Sequence, residues 1–173
     1  AEAIATFALV FIGAGSVLAL AGTDAGIIGV ALAHGLVLMA MVYATAHISG
    51  GHVNPAVTMG MWVTGKIKTT TAVAYVAAQL TGAAIAGFLL KVVFAASSPA
   101  LNLGSTTLAA GVTFWNGVLV ETILTFFLVF TIFGVAVDKR APAGVYGAAI
   151  GLVLTFDILM GGGLTGAAMN PAR

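Results

Sequence analysis

The chain has no cysteine and almost no charge. The first absence excludes disulfides, thiolate metal sites and a cysteine nucleophile. The second has the larger consequence: Lys, Arg, Asp and Glu make up 6% of 173 residues, against roughly 25% in an ordinary soluble domain. Apolar residues reach 61%, and mean hydropathy is +1.16. Such a chain belongs in a bilayer. Its net charge of +1, with cations singly or in pairs, offers no basic face to nucleic acid and no pull on acidic substrates. His47 and His52 flank a glycine turn without carboxylate or cysteine partners, so no metal and no cofactor are expected. The chain opens without Met or a cleavable signal pattern and reads as part of a longer protein.

What is present is apolar length. Five stretches, near 2–20, 26–46, 70–93, 115–137 and 144–162, are long enough to cross about 30 Å of hydrocarbon. The chain is therefore expected to be an all-α, integral, multi-pass membrane protein, with a plasma or inner membrane as its setting. Between the second and third stretches, the run from Ala46 to Gly65 is neither a clean span nor a polar loop. At most about eleven of its residues can be helical, roughly 16 Å, which predicts a re-entrant half-helix. Irregular backbone at that depth is tolerated only when buried in protein or lining a wet path. Lys66, Lys68, Lys139 and Arg140 place their two loops, and the amino terminus, on the cytoplasmic side; Lys91 opposes this weakly. The connection from Ala95 to Phe114 is then outside, with Pro99, Asn102 and Gly104 as turn residues.

Asn-Pro-Ala occurs twice, at Asn54-Pro55-Ala56 and Asn170-Pro171-Ala172, 116 positions apart. Glu2, Thr6 and Phe7 match Glu121, Thr125 and Phe126 at an offset of 119. The chain reads as a duplication within a single domain of residues 1–173, with a first repeat of about 1–93 and a second of about 115–173. Three spans separate equivalent positions, so the halves enter the membrane from opposite sides, an inverted repeat. The two re-entrant segments then meet near the midplane.

The motif has a physical reading. Proline lacks an amide hydrogen and suits the first helical position, with asparagine before it as N-cap. Each tripeptide is thus a helix start, and the Asn54 and Asn170 amides supply two donors at the midplane. The half-helix dipoles place positive potential there, a barrier to cations and protons. Ahead of each start the backbone must run extended; Gly50 and Gly51, and Gly161, Gly162, Gly163 and Gly166, permit this. Carbonyls of Gly50, Gly51, His52 and Val53, and of Gly166, Ala167, Ala168 and Met169, would form an acceptor ladder suited to single-file water. Glu2 and Glu121, as buried carboxylates, need donors, and the re-entrant loops have amides to offer.

At these motifs the chain resembles the aquaporins and glycerol facilitators, the major intrinsic proteins. The segments that carry the likeness are Ala1 to Phe7, His47 to Thr58, and Thr165 to Arg173. The resemblance implies a right-handed six-helix bundle with two half-helices, a pore in each subunit of a homotetramer, passive conduction and no catalysis. It also implies that the sixth span and most of the second half-helix lie beyond Arg173. Carried over by spacing, the family's filter positions fall on His34, Ile158, Ala167 and Arg173. That set is similar to the filter of plant tonoplast intrinsic proteins and some bacterial relatives, which implies water, with leak of ammonia, peroxide, urea or glycerol left open.

Several residues keep more than one reading. His34 is either a pore residue or a core histidine bonded to a neighbouring helix. His47 and His52 are read as structural, with imidazoles packed behind the loop. Asp157 sits beside Ile158, where it would tune the vestibule, reach the interface or bond a neighbouring subunit. A glycerol facilitator with little water flux, and a coupled carrier, stay open as alternatives to the water pore. A carrier needs a titratable or ion-binding midplane group, and Asn54 and Asn170 do not titrate.

Overall fold

The computed structural model describes residues 1–95 and 102–173, so the expected turn at Pro99 lies outside the described residues. In chain order the helices are α1 Glu2–Ala19, α2 Gly26–Ser49, α3 Pro55–Val63, α4 Thr69–Val93, α5 Phe114–Ile132 and α6 Tyr146–Thr165. A short turn at Asn102–Gly104 precedes α5, which runs on as a π-helical turn, Phe133–Val137. No strand occurs among the described residues. Five of the helices are long and apolar enough to cross a membrane. At 1.5 Å per residue α2 is about 36 Å long and α3 about 14 Å, so α3 reaches only halfway.

Two spans end later than the sequence suggested. Both α2 and α6 continue until a glycine can take the left-handed conformation that closes a helix: Gly50 (φ 87) bonds back to the carbonyl of Ala46, and Gly166 (φ 84) to that of Gly162. Gly161, Gly162 and Gly163 therefore stay helical and do not loosen the backbone ahead of the second motif. Two of them permit close packing: a Cβ on Gly161 would strike Leu124 of α5, and one on Gly162 would strike Ile27 of α2.

Packing follows the inverted repeat. Helices α2 and α6 touch at Gly35 and Gly151, where a Cβ on either would run into the other's carbonyl oxygen. These glycines are 116 apart, the offset of the two motifs, so this contact lies on the approximate two-fold axis. Gly82 of α4 likewise admits the Ala3 carbonyl of α1. Leu38, Val42, Leu124, Leu128, Val153 and Leu154 fill the core between α2, α5 and α6. Phe88, Trp115, Phe126, Phe130 and Leu152 point outward and are exposed, an apolar belt of the kind a bilayer covers.

The two ends of the bundle are distinct. Ser49 donates to Glu2, bringing the end of α2 to the start of α1. Lys66, Asp138 and Lys139 line one mouth, so the two cation-bearing loops share an end. Residues 20–23 and 104–107 line the opposite mouth. In the α5–α6 loop, outside the spans, Arg140 chelates Asp138 and holds its carboxyl below the usual carboxylate range.

Candidate functional site

The re-entrant loops owe their shape to alternate left-handed residues. Gly51 (φ 62) and Val53 (φ 56) take this conformation in the first loop, Ala167 (φ 44) and Met169 (φ 50) in the second. For a side chain other than glycine this costs about 1–2 kcal/mol, so something must stabilise it. Alternating handedness turns successive amide hydrogens to one side, making a nest for an anion. A glutamate fills each nest. Glu2 accepts from the amides of His52 (3.0 Å) and Val53 (2.7 Å), and from Ser49 Oγ and Gln79 Nε2. Glu121 accepts from the amides of Ala168 (3.0 Å) and Met169 (2.8 Å), and from Thr165 Oγ1. With amides committed to the glutamates, the other side of each loop is left to its carbonyls.

The asparagines close the junction between the loops. Asn54 Oδ1 accepts from the Ala56 amide (2.8 Å) with Pro55 in the first helical turn, and Asn170 Oδ1 accepts from the Ala172 amide (3.0 Å). Pro171 and Ala172 form a turn. Across the junction Asn54 Nδ2 donates to the Met169 carbonyl (2.8 Å), and Asn170 Nδ2 to that of Val53 (3.0 Å). Here the expected ladder needs correction. Left-handed torsions at Val53 and Met169 give those two carbonyls to the opposite asparagine, so they lace the loops together and neither residue lines the midplane cavity. Each carboxamide keeps a second N–H, and both asparagines line the cavity.

Three cavities lie along the bundle, the central one sharing lining residues with each of the other two. The midplane cavity has room for about 20 Å³ of water centres, space for little more than one or two waters at a time. The mouth at the Lys66 end offers about 660 Å³, the opposite mouth about 370 Å³. Gly51 and His52 line both the midplane cavity and the first mouth, with Gly50 in that mouth alone; Ala167 and Ala168 line the midplane cavity, and Gly166 the second mouth. Leu9, Leu38, Leu128 and Leu154 form an apolar wall at the midplane.

Of the four positions read as a filter, His34 and Ala167 line the midplane cavity, Ile158 the mouth opposite Lys66, and Arg173 both; the Arg173 guanidinium donates to the Gly166 carbonyl (3.2 Å). His34 Nδ1 lies 2.8 Å from the Val30 carbonyl. A carbonyl only accepts, so Nδ1 carries a proton, while Nε2 is buried without a protein partner. The Nδ1 bond is to its own helix, not a neighbouring one. The ring packs against Gly13, where a Cβ would collide with it.

Other positions depart from the sequence reading. His47 is exposed in the Lys66-end mouth instead of packed behind the loop, because α2 carries it three residues further. Asp157 is 1% exposed, on the helix face of Gly161 that meets α5, so it does not reach the interface or a neighbouring subunit. Sequence reasoning missed Gln79, which donates to both Glu2 and Thr58, while Thr58 Oγ1 lies 3.0 Å from His52 Nδ1. A lone glutamine in an apolar span was the available signal.

A bundle of apolar spans whose two re-entrant loops meet beside a small cavity between two larger mouths is the arrangement of a transmembrane channel. The comparisons agree. The family model for the major intrinsic proteins matches residues 1–173. Aquaporin TIP4-4 of Zea mays is 46% identical over all of this chain and 71% of its own length; aquaporin AqpM of Methanothermobacter thermautotrophicus is 40% identical, over all of this chain and 78% of its own. The crystal structure of the aquaglyceroporin from Plasmodium falciparum superposes with a TM-score of 0.87 at 25% identity, covering 99% of this chain and 75% of that one. The chain belongs to the major intrinsic protein family. It is an integral, multi-pass, passive channel for water and small solutes, and not an enzyme.

Proposed function

We propose that the channel conducts water in single file, with ammonia as a second permeant, and that His34, Ile158, Ala167 and Arg173 are its filter. The observation that carries this reading is the midplane cavity, water-wide between two larger mouths, with carbonyl-bearing loop residues and two asparagines on one side and leucines on the other. Water crossing it exchanges hydrogen bonds with carbonyls of Gly51, His52, Ala167 and Ala168. At Asn54 and Asn170 it meets two donors, so the central water must accept from both and cannot pass a proton along. Arg173 repels cations at the outer narrowing. The His34 ring closes one side of the cavity, its Nε2 buried beside Gly13 without a protein partner, and ammonia, small and neutral, shares the path that water takes.

The reading extends to assembly and organisation. One channel domain of residues 1–173, with repeats of about 1–93 and 115–173, forms one pore, and four copies form a homotetramer, in line with the resemblance. The test is stopped-flow light scattering on proteoliposomes of the full-length protein, comparing osmotic shrinkage with ammonia and glycerol entry. Fast water flux with low temperature dependence, and ammonia entry that falls in His34→Phe, is expected. Water flux no faster than in empty vesicles, beside saturable solute entry, would move the case to a facilitator or carrier.

A further inference from the structure

The inverted repeat pairs every residue of the outer narrowing with one at the other end of the pore. At the offset of 116 that relates the two motifs, His34 pairs with Ile150, Ile158 with Val42, Ala167 with Gly51, and Arg173 with Val57. All four partners line both the midplane cavity and the Lys66-end mouth. They form the inner lip of the narrow section, a position reached independently by sequence offset and by cavity shape.

The pairing also shows what changed. Near the midplane the repeat keeps its side chains: Leu38 pairs with Leu154, Asn54 with Asn170, and at the offset of 119 Leu9 pairs with Leu128, all lining the cavity. At the ends it does not. The outer ring carries an imidazole and a guanidinium, whereas the inner ring carries Ile150 and Val57. Gly13, which makes room for the His34 ring, pairs with Ile132, which fills the inner lip beside Ile150.

We propose that Val42, Val57, Ile132 and Ile150 form a second, apolar selectivity ring at the inner mouth, acting in series with the outer filter. This rests on the proposed pore function. Water crossing the ring finds few polar partners beyond the loop carbonyls, so the ring resists wetting. A polar solute with several hydrogen-bonding groups, such as urea or glycerol, leaves more of them unpartnered there than water does. The outer ring selects by charge and hydrogen bonding; the inner ring selects by width and dewetting.

The test uses proteoliposomes of the full-length protein carrying Val57→Thr, which is nearly isosteric and wets the ring, and Ile150→Ala, which widens it. Each is made in the wild-type and the His34→Ala background. The expected result is a severalfold rise in urea and glycerol entry that clearly exceeds any rise in water flux, larger in the His34→Ala background because the outer resistance is already lowered. If Ile150→Ala does not assemble, Val57→Thr decides alone. Solute entry unchanged in both backgrounds, with fast wild-type water flux, overturns the ring and leaves the pore standing. Wild-type water flux no faster than in empty vesicles overturns the pore reading and the ring with it.

Discussion

The two re-entrant loops are built alike and finish differently. Each follows a span closed by a left-handed glycine, turns left-handed on alternate residues, gives two amides and a hydroxyl to a glutamate, and starts with an asparagine capping itself. They part three residues after the asparagine, at Val57 in one and Arg173 in the other. They also differ behind the loop, where Gln79 gives Glu2 a fourth donor. The bracing is alike in the two loops because each loop's amides and hydroxyl need an acceptor. Side chains on the water path carry no such obligation, and at the two ends they differ.

The sharpest way to break this comparison is to remove the braces. Glu2→Ala strands three buried donors, at about 1–3 kcal/mol each, besides the half-buried Ser49 hydroxyl, a large part of the stability of a typical domain. Little monodisperse protein is expected on size exclusion in detergent. Glu121→Ala strands three donors and should be milder; an equal or greater loss would mean that the loops are not braced alike. Next in size is Val57→Arg, which places a cation at both ends and is expected to bring osmotic water flux down towards that of empty vesicles. Flux at the wild-type level would show that residue 57 does not face the water path.

Smaller effects sharpen the picture. Gln79→Leu removes the one donor that distinguishes Glu2 from Glu121, and a stability loss of about 1–2 kcal/mol, read as a lower thermal midpoint with water flux intact, is expected. Asn54→Ser and Asn170→Ser keep an N-cap but lose the link to the opposite loop. Each should cost roughly 1 kcal/mol, and a marked difference between them, by the same thermal measurement, would show that the junction is not symmetric.

Much of this architecture was legible in the sequence because it rests on local chemistry. Asn-Pro at a helix start is a capping signal, and it placed the start of α3 at Pro55. Apolar length placed the five spans. The ends of α2 and α6 were misjudged because a glycine run reads as a breaker, whereas the helix continues until one glycine turns left-handed. Nothing local announces φ 56 at Val53, a β-branched residue that avoids this region. That torsion is imposed by Glu2, fifty-one residues away along the chain. Gly13 was equally silent, since its role appears only when His34 packs on it.

The most direct test of the central claim, a single-file path between the two loops, is the ratio of osmotic to diffusional water permeability. Both are measured on the same proteoliposomes of the full-length protein, by osmotic shrinkage and by exchange of light against heavy water. Waters that cannot pass one another move as a file, so the ratio should lie well above unity. A ratio near unity, with water flux clearly above that of empty vesicles, would show independent passage and contradict the account.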